Sequence, residues 1–233
     1  MADLTHIDAW VFDLDNTLYP AECRLFAQID VRIADFIKDT LHISLDEARR
    51  MQRDYYVRYG ASMTGLMHEH GVSPDVYLDY VHEIELDAVV ENPALAETLA
   101  DLPGRRLILT NASERHAANV TAKIGIDHLF DGVFDIKAAE YTPKPNRETY
   151  ERFLARHAVR ADSAVIFDDI AHNLEAPHAL GMTTVLVCSD AAWLADEPDG
   201  KRPARRGESA AHVHHATADL TDFLSRVKTA ARI

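Results

Sequence analysis

The sequence predicts an α/β fold: a parallel sheet core covered on both faces by helices, with a small helical cap domain inserted after the first strand. Three observations predict it. Short apolar runs alternate along the chain with stretches of helical periodicity. Two of those runs, ending at Asp13 and at Asp168, pass directly into acidic residues. Between about residues 21 and 90 the alternation stops, and only helical patterns follow one another.

The first strand covers residues 7–13, Ile-Asp-Ala-Trp-Val-Phe-Asp, and turn chemistry at Asn16 and Pro20 stops it. The next four segments read as helices: 23–40, 44–59, 62–70 and 74–85. The second opens on a Ser44-Leu-Asp-Glu47 capping box, and Gly60, Gly71 and Pro74 punctuate the series. This block postpones the second strand by about ninety residues, where a crossover needs only about a dozen. It is therefore expected to be a separate unit. Residues 1–20 and 90–233 then form the core, and 21–89 the cap.

Further strands are predicted at 106–110, 132–136, 163–167 and 183–187. Helices lie between them: 113–124, with Ser113 as N-cap and Glu114 in the first turn; 146–157, opened by Pro145; and 171–180, closed by Gly181. Residues 196–210 are polar and rich in Pro and Gly, and are expected to form a mobile surface loop. An amphipathic helix over 220–230 carries Leu220, Phe223, Leu224 and Val227 on one face.

With 233 residues, 47% of them hydrophobic, the chain can bury a sizeable core. Its formal net charge of -14 argues against nucleic acid polymers and anionic membranes as partners. An anionic substrate would need local positive charge, from a metal or a chosen Lys or Arg. The two cysteines, Cys23 and Cys188, are read as buried thiols rather than a disulfide framework. The first residues lack a signal-peptide pattern, and the apolar runs are too short to span a bilayer. The expectation is a cytoplasmic protein; its oligomeric state is not readable.

The chemistry sits at strand ends. In Phe12-Asp13-Leu14-Asp15-Asn16-Thr17, two carboxylates leave the carboxyl end of the first strand, the edge where open α/β sheets bind ligands. In Leu107-Ile108-Leu109-Thr110-Asn111-Ala112-Ser113, a hydroxyl and an amide precede a helix and could bind phosphate oxygens. In Thr142-Pro143-Lys144-Pro145, a cation is held in a stiffened, extended segment. In Phe167-Asp168-Asp169-Ile170-Ala171-His172-Asn173, a second acidic pair ends another strand. Two acidic pairs make an oxygen-rich site for a hard cation, and Mg²⁺ fits best.

In this order the motifs Asp-x-Asp-x-Thr, strand-Thr, Lys-Pro and Asp-Asp resemble the haloacid dehalogenase superfamily of phosphatases, over residues 7–18 and 90–190. The resemblance implies a Rossmann-like parallel sheet core with a helical cap domain. A closer likeness is to the pyrimidine 5′-nucleotidase branch. It rests on residues 13–20 (Asp-Leu-Asp-Asn-Thr-Leu-Tyr-Pro), 55–60 (Tyr-Tyr-Val-Arg-Tyr-Gly) with Gly65 and Leu66, 129–132 (Leu-Phe-Asp-Gly) and 168–173 (Asp-Asp-Ile-Ala-His-Asn).

The resemblance implies a Mg²⁺-dependent phosphomonoester hydrolase acting on a small phosphorylated metabolite through an aspartyl-phosphate. Asp13 would be the nucleophile and Asp15 the general acid and base, with a pKa raised by neighbouring carboxylates. Thr110, the Asn111 backbone and Lys144 would bind the phosphoryl group. Mg²⁺ would be held by Asp13, the backbone carbonyl of Asp15 and Asp169, with Asp168 a further or water-mediated ligand. Asn173 stands where many relatives carry an acidic residue, and is expected to act behind the ligands. Tyr56 and Tyr59 are the cap residues proposed to contact substrate, out of a set with Tyr55, Met63, Met67, His68 and His70 that can equally pack cap helices. His212, His214 and His215 lack further ligands and read as a surface segment.

Other readings keep some of these residues. A phosphatase for phosphoglycolate or a sugar phosphate would share the core chemistry. A haloacid dehalogenase would leave the metal-like acidic set without a role. A phosphoacceptor signalling module would leave the cap and the acidic pair after the lysine unexplained, and a non-catalytic binding protein would leave a full set of chemical groups unused.

Overall fold

The computed structural model describes residues 2–196, 202–227 and 229. The first strand, β1, is Ala9–Phe12. Four helices follow: α1 (Leu25–Leu41), α2 (Leu45–Tyr59), α3 (Ser62–His70) and α4 (Pro74–Val81). The chain then continues through α5 (Pro93–Ala100), β2 (Arg105–Leu109), α6 (Glu114–Ile124), β3 (Gly132–Phe134) and α7 (Arg147–His157). It closes with β4 (Ala164–Asp168), α8 (Glu175–Leu180), β5 (Thr183–Ser189), β6 (Ala204–Arg205), β7 (His215–Thr217) and α9 (Leu220–Arg226).

The strands form one parallel sheet in the order β3-β2-β1-β4-β5-β6, with β7 also pairing β5. All four residues of β1 are buried, which is why its sequence is a continuous apolar run rather than an alternating one. Successive residues still point to opposite faces. Trp10 and Phe12 enter one cluster with Phe167, Val120 of α6 and Leu224 of α9. Ala9 and Val11 enter the other with Phe134, Tyr150 and Phe153. The rings of Phe12 and Phe167 stack at 4.8 Å across the central strands.

Register is what builds the site. Phe12 of β1 lies level with Ile108 of β2 and with Phe167 of β4. The residues that follow these positions, Asp13, Leu109–Thr110 and Asp168–Asp169, therefore leave the sheet side by side. Backbone bonds hold the exits: Asp13 N–H donates to Phe167 C=O at 2.8 Å, and Thr110 N–H to Phe134 C=O at 3.0 Å.

Helices α1–α4 pack around a cluster of their own, including Ile29, Phe36, Ile37, Tyr55, Leu66, Tyr77 and Val81. The Ser44–Glu47 capping box starts α2 in both of its hydrogen bonds. Gly65 is required because α3 crosses α2 directly over the Tyr55 ring, where a Cβ would collide with the Tyr55 side chain. The insert touches the sheet unit at several points. Ile136 joins its apolar cluster, Asp75 pairs with Lys137, and Gly60 abuts Pro143 beside Lys144.

Several expectations are corrected. The helix expected over 74–85 ends at Val81, because His82 turns out of it to meet Ser113. Helix α5 was not anticipated, although Asn92 caps it through Leu95 N–H and Pro93 occupies its first turn. The expected helix 171–180 opens as a 3₁₀ turn at Ala171–Leu174. Regular α8 begins late enough to keep Pro177, which has no N–H to donate, near its start.

The segment 196–210 is not a simple surface loop. Residues 197–201 lie outside the described residues, but Arg202, Pro203 and Ala204 are buried. Strand β6 pairs β5, and Ala204 N–H donates to Asp169 C=O at 2.7 Å. Arg202 pairs with Glu208 at 2.7 Å, so a buried charge is compensated and composition alone misled. Of the helix expected over 220–230, α9 ends at Arg226, and residues 228 and 230 lie outside the described residues. Both cysteines are free, Cys188 buried and Cys23 half-buried. No helix among the described residues is long and apolar enough to cross a membrane.

Candidate active site

Asp13, Lys144, Asp168 and Asp169 meet at the carboxyl edge of the sheet, and all four are buried. Lys144 Nζ lies 2.7 Å from Asp13 Oδ1 and 2.7 Å from Asp168 Oδ2. The carboxylates of Asp13, Asp168 and Asp169 have oxygens within 4.8 Å of one another. Three buried carboxylates against one ammonium leave an excess of negative charge. Burial pushes Asp13 up from its ordinary 3.8 to about 7; Lys144 opposes this, and Asp168 and Asp15 add to it. Burial likewise raises Asp169 well above the ordinary range, with Asp13 and Asp168 adding repulsion. For Lys144 burial works against the charge, but Asp13 and Asp168 outweigh it and hold the ammonium above its ordinary value.

The two residues of the second acidic pair play different parts. Asp168 has its oxygens engaged within the protein: Oδ2 takes Lys144, and Oδ1 accepts from Ile170 N–H at 3.0 Å and Asn173 Nδ2 at 2.9 Å. Asp169 Oδ2 is buried with no partner. An unpartnered carboxyl oxygen beside Asp13, whose ionised form only a cation would favour, fits a hard divalent cation. The residues present therefore suit Mg²⁺, with Asp13 and Asp169 as the side-chain ligands and Asp168 tied into the framework. Asn173 supports Asp168, and Tyr150 OH in turn donates to Asn173 C=O at 2.6 Å.

Electrostatics give this arrangement a pH signature. A carboxyl whose folded pKa lies above its unfolded value takes up protons on folding, so stability falls as pH rises between the two values. For Asp13 that window runs from 3.8 to about 7, and Asp169 extends it upward. A divalent cation favours the ionised trio and reverses the trend. Thermal denaturation with Mg²⁺ or with chelator should show a larger stabilisation by Mg²⁺ at about pH 8 than at about pH 5. Equal stabilisation at both values would mean that these carboxylates do not hold the metal.

Thr110 and Asn111 follow directly on the carboxyl end of β2. The Thr110 hydroxyl accepts from Ala112 N–H at 3.0 Å, which leaves its hydrogen for an outside acceptor. The Asn111 side chain clamps the lysine segment: its Oδ1 accepts from Lys144 N–H at 2.8 Å, and its Nδ2 donates to Lys144 C=O at 3.2 Å. The sequence points to the Asn111 backbone alone; the side-chain clamp joins residues 33 positions apart and has no local sign.

Asp15 departs from expectation. Its carboxylate lies outside the trio, and Oδ1 accepts from Tyr19 OH at 2.7 Å and meets His116 Nε2 at 3.1 Å. Burial alone would raise Asp15, but His116 and the Tyr19 hydroxyl outweigh it and hold the carboxyl below its ordinary value, not above it. The ring of His116 is itself stacked on His82 at 4.5 Å. Burial, with the charge of His116, pushes His82 down to about 3. Neither histidine stood out in the sequence; the one available signal was a His on the apolar face of the 113–124 helix.

The cap tyrosines separate. Burial raises Tyr56, and the charges of Asp169 and Asp168 raise it further, which puts it within electrostatic reach of the site. Tyr59 instead donates to Glu69 at 2.6 Å, receives Arg58 at 3.0 Å and stacks on His68 at 5.8 Å. That network is on the exposed side of α2 and α3, so the expected placement of Tyr59 at the substrate is corrected. Tyr55 and Met63 pack the insert, and His70 meets Tyr55 OH. His212 and His214 hold the β5 edge through Ala171 C=O and Thr184.

Comparison with known proteins completes the picture. The chain is 28% identical over 193 residues to Phosphate metabolism protein 8 of Saccharomyces cerevisiae, covering 75% of this chain and 60% of that protein; it thus spans only three-fifths of the relative's length. A HAD phosphatase from Thermococcus onnurineus shares the fold with a TM-score of 0.59 at 18% identity, covering 94% of this chain and 97% of that one. So does L-2-haloacid dehalogenase from Xanthobacter autotrophicus with chloropropionic acid covalently bound, with a TM-score of 0.57 at 17% identity and the same coverage. The family model of haloacid dehalogenase-like hydrolases matches residues 7–181, and the chain belongs to that family of hydrolases.

Proposed function

We propose that the protein is a Mg²⁺-dependent phosphatase of small phosphate monoesters, working through an aspartyl-phosphate on Asp13. One observation carries the reading: a buried carboxylate trio, bridged by Lys144, retains an unpartnered oxygen on Asp169. The yeast relative is named for phosphate metabolism, and the archaeal structure is named a phosphatase, which accords with it. Mg²⁺, held by Asp13, Asp169 and the Asp15 carbonyl, would neutralise charge between anionic nucleophile and anionic substrate.

In the first half-reaction an Asp13 carboxylate oxygen attacks phosphorus, the bond from phosphorus to the ester oxygen breaks, and Asp15 gives that oxygen its proton. The free alcohol leaves. In the second, Asp15 takes a proton from water, whose oxygen attacks phosphorus. The bond to Asp13 breaks, releasing inorganic phosphate and restoring both groups. The ionised Asp15 of the free protein suits the second half; an incoming phosphate dianion beside it raises its pKa for the first. Lys144, the Thr110 hydroxyl and the Asn111 backbone bind the phosphoryl oxygens. Helices α1–α4 serve as a cap that excludes water and selects substrate, with Tyr56 within electrostatic reach of the carboxylates.

The substrate class we favour is a pyrimidine nucleoside 5′-monophosphate, whose base could stack on Tyr56. The test is release of inorganic phosphate from UMP, CMP, AMP, phosphoglycolate and sugar phosphates, with Mg²⁺ and with chelator. Metal-dependent release led by UMP or CMP is expected. Release led by another compound would discard the nucleotide and keep the mechanism. No release from any compound, with Mg²⁺ bound, would overturn the phosphatase reading.

A further inference from the structure

Asp15 must be aimed if it is to serve as the proton donor, yet it stands in a turn, and Asn16 beside it has φ 60, in the left-handed region. A carboxyl on such a turn has free rotamers unless something fixes it. Two groups do so, and both act on the same oxygen: Tyr19 OH and His116 Nε2 meet Oδ1. Oδ2 is thereby left as the oxygen that carries the proton to the ester and takes it back from water.

His116 is 1% exposed and sits on the first turn of α6, fixed to the sheet unit. Its ring is held from the other side by His82, which stacks on it at an interplanar angle of 16°. His82 in turn is fixed by Ser113 Oγ at 3.0 Å, and Ser113 is the N-cap of α6, accepting from His116 N–H. His82 is the residue at which the chain leaves α4 for the return to the core. His82, Ser113 and His116 thus hold one another where the exit of the insert meets the start of α6, and His116 alone reaches from there to the carboxyl of Asp15.

We propose that His116 is a positioning residue that aims Asp15 for proton transfer, and that His82, at the exit of the helical insert, holds His116 in place. The proposal rests on Asp15 being the general acid. An isolated buried histidine is more often a packing residue, but packing does not require a hydrogen bond to one chosen carboxylate oxygen or a second ring stacked to fix the first. It also has a chemical consequence that packing lacks: the loss should depend on how much the leaving group needs a proton.

The experiment compares kcat/KM for an alkyl phosphate, whose alkoxide needs protonation, with kcat/KM for p-nitrophenyl phosphate, whose nitrophenolate leaves without it. This ratio reports the first phosphoryl transfer and is blind to the hydrolysis step common to both substrates. His116→Phe keeps the stacked ring and removes the donor. It should lose roughly 10- to 100-fold on the alkyl phosphate and less than about threefold on p-nitrophenyl phosphate. His116→Gln, which restores an N–H donor, should recover most of the difference, and His82→Ala should show the same selectivity at smaller size. Equal losses on both substrates, or no recovery in His116→Gln, would overturn the proposal.

Asp15→Asn is measured alongside. If it keeps parental kcat/KM on the alkyl phosphate, the general-acid assignment itself falls. If it loses that activity while His116→Phe does not, only the positioning role falls. A second arm avoids substitution at 116. In protein labelled with ¹⁵N-histidine, the Nε2 proton of His116 should give an exchange-protected resonance that shifts in Asp15→Asn. Absence of that resonance, or its indifference to Asp15→Asn, would also overturn the proposal.

Discussion

Asp13→Asn should lower phosphate release by at least about 10⁴-fold while leaving the fold intact. An amide oxygen is a poor nucleophile toward phosphorus, and the neutral side chain has no charge with which to hold a divalent cation. The structural cost is small because the substitution is nearly isosteric. It also removes one of three carboxylates crowded within 4.8 Å, so the metal-free variant should be at least as stable as its parent at neutral pH. Lys144 keeps Asp168 as its partner at 2.7 Å, so no buried charge is orphaned. Phosphate release, thermal denaturation and acid-quenched single turnovers decide the matter together. The parent should yield a phosphorylated protein in the quench and the variant none. Near-parental turnover in a freshly prepared Asp13→Asn would rule out covalent catalysis on this residue.

The parts of the site that were legible in the sequence are those that a strand delivers directly. Asp13, Thr110 and Asp168–Asp169 each leave an apolar run, and a parallel sheet in register must bring such exits to one edge. Lys144 was legible for another reason: flanking prolines stiffen its segment, and the Asn111 clamp only completes what they begin. What was not legible depends on side-chain geometry across long separations. The contact of His116 with Asp15 spans 101 positions, and neither residue carries a local sign of the other. The distinct duties of Asp168 and Asp169 depend on which carboxylate turns toward Lys144 and Asn173, which their adjacency in sequence does not decide.

Helical phase explains the two tyrosines. Tyr59 lies one turn beyond Tyr55, and its ring packs edge-on against it at 5.8 Å, which carries it to Glu69. Tyr56 stands about 100° further round the helix than Tyr55, within electrostatic reach of Asp168 and Asp169. The buried course of 202–204 was hidden for a different reason. Arg202 reads as a solvated charge until its ion pair with Glu208 is seen. The return of that segment to Asp169 C=O, through Ala204 N–H, ties one candidate metal ligand to a stretch whose composition suggested only a loop.

Lys144→Met should cost both activity and stability, and the stability cost should grow with pH. The lysine is the only cation contacting the trio among the described residues, bridging Asp13 and Asp168 at 2.7 Å each. Methionine fills much of its volume but leaves two buried carboxylates uncompensated, a loss of about 3–5 kcal/mol when both are ionised. With the ammonium gone, the Asp13 carboxyl, already raised to about 7, moves higher still. A carboxyl raised in the folded state binds protons on folding, so stability recovers as pH falls through that raised value. In chelator, the destabilisation measured by urea unfolding should therefore be greatest at about pH 8 and much smaller at about pH 5. Activity should fall by at least about 10³-fold, through lost phosphate binding and a misoriented nucleophile. Lys144→Arg separates the two effects: it restores the charge, and with it much of the stability, but its planar fork cannot reproduce a single nitrogen placed between two oxygens. A Lys144→Met protein as stable as its parent at about pH 8 would mean that the carboxylates do not depend on this ammonium for burial.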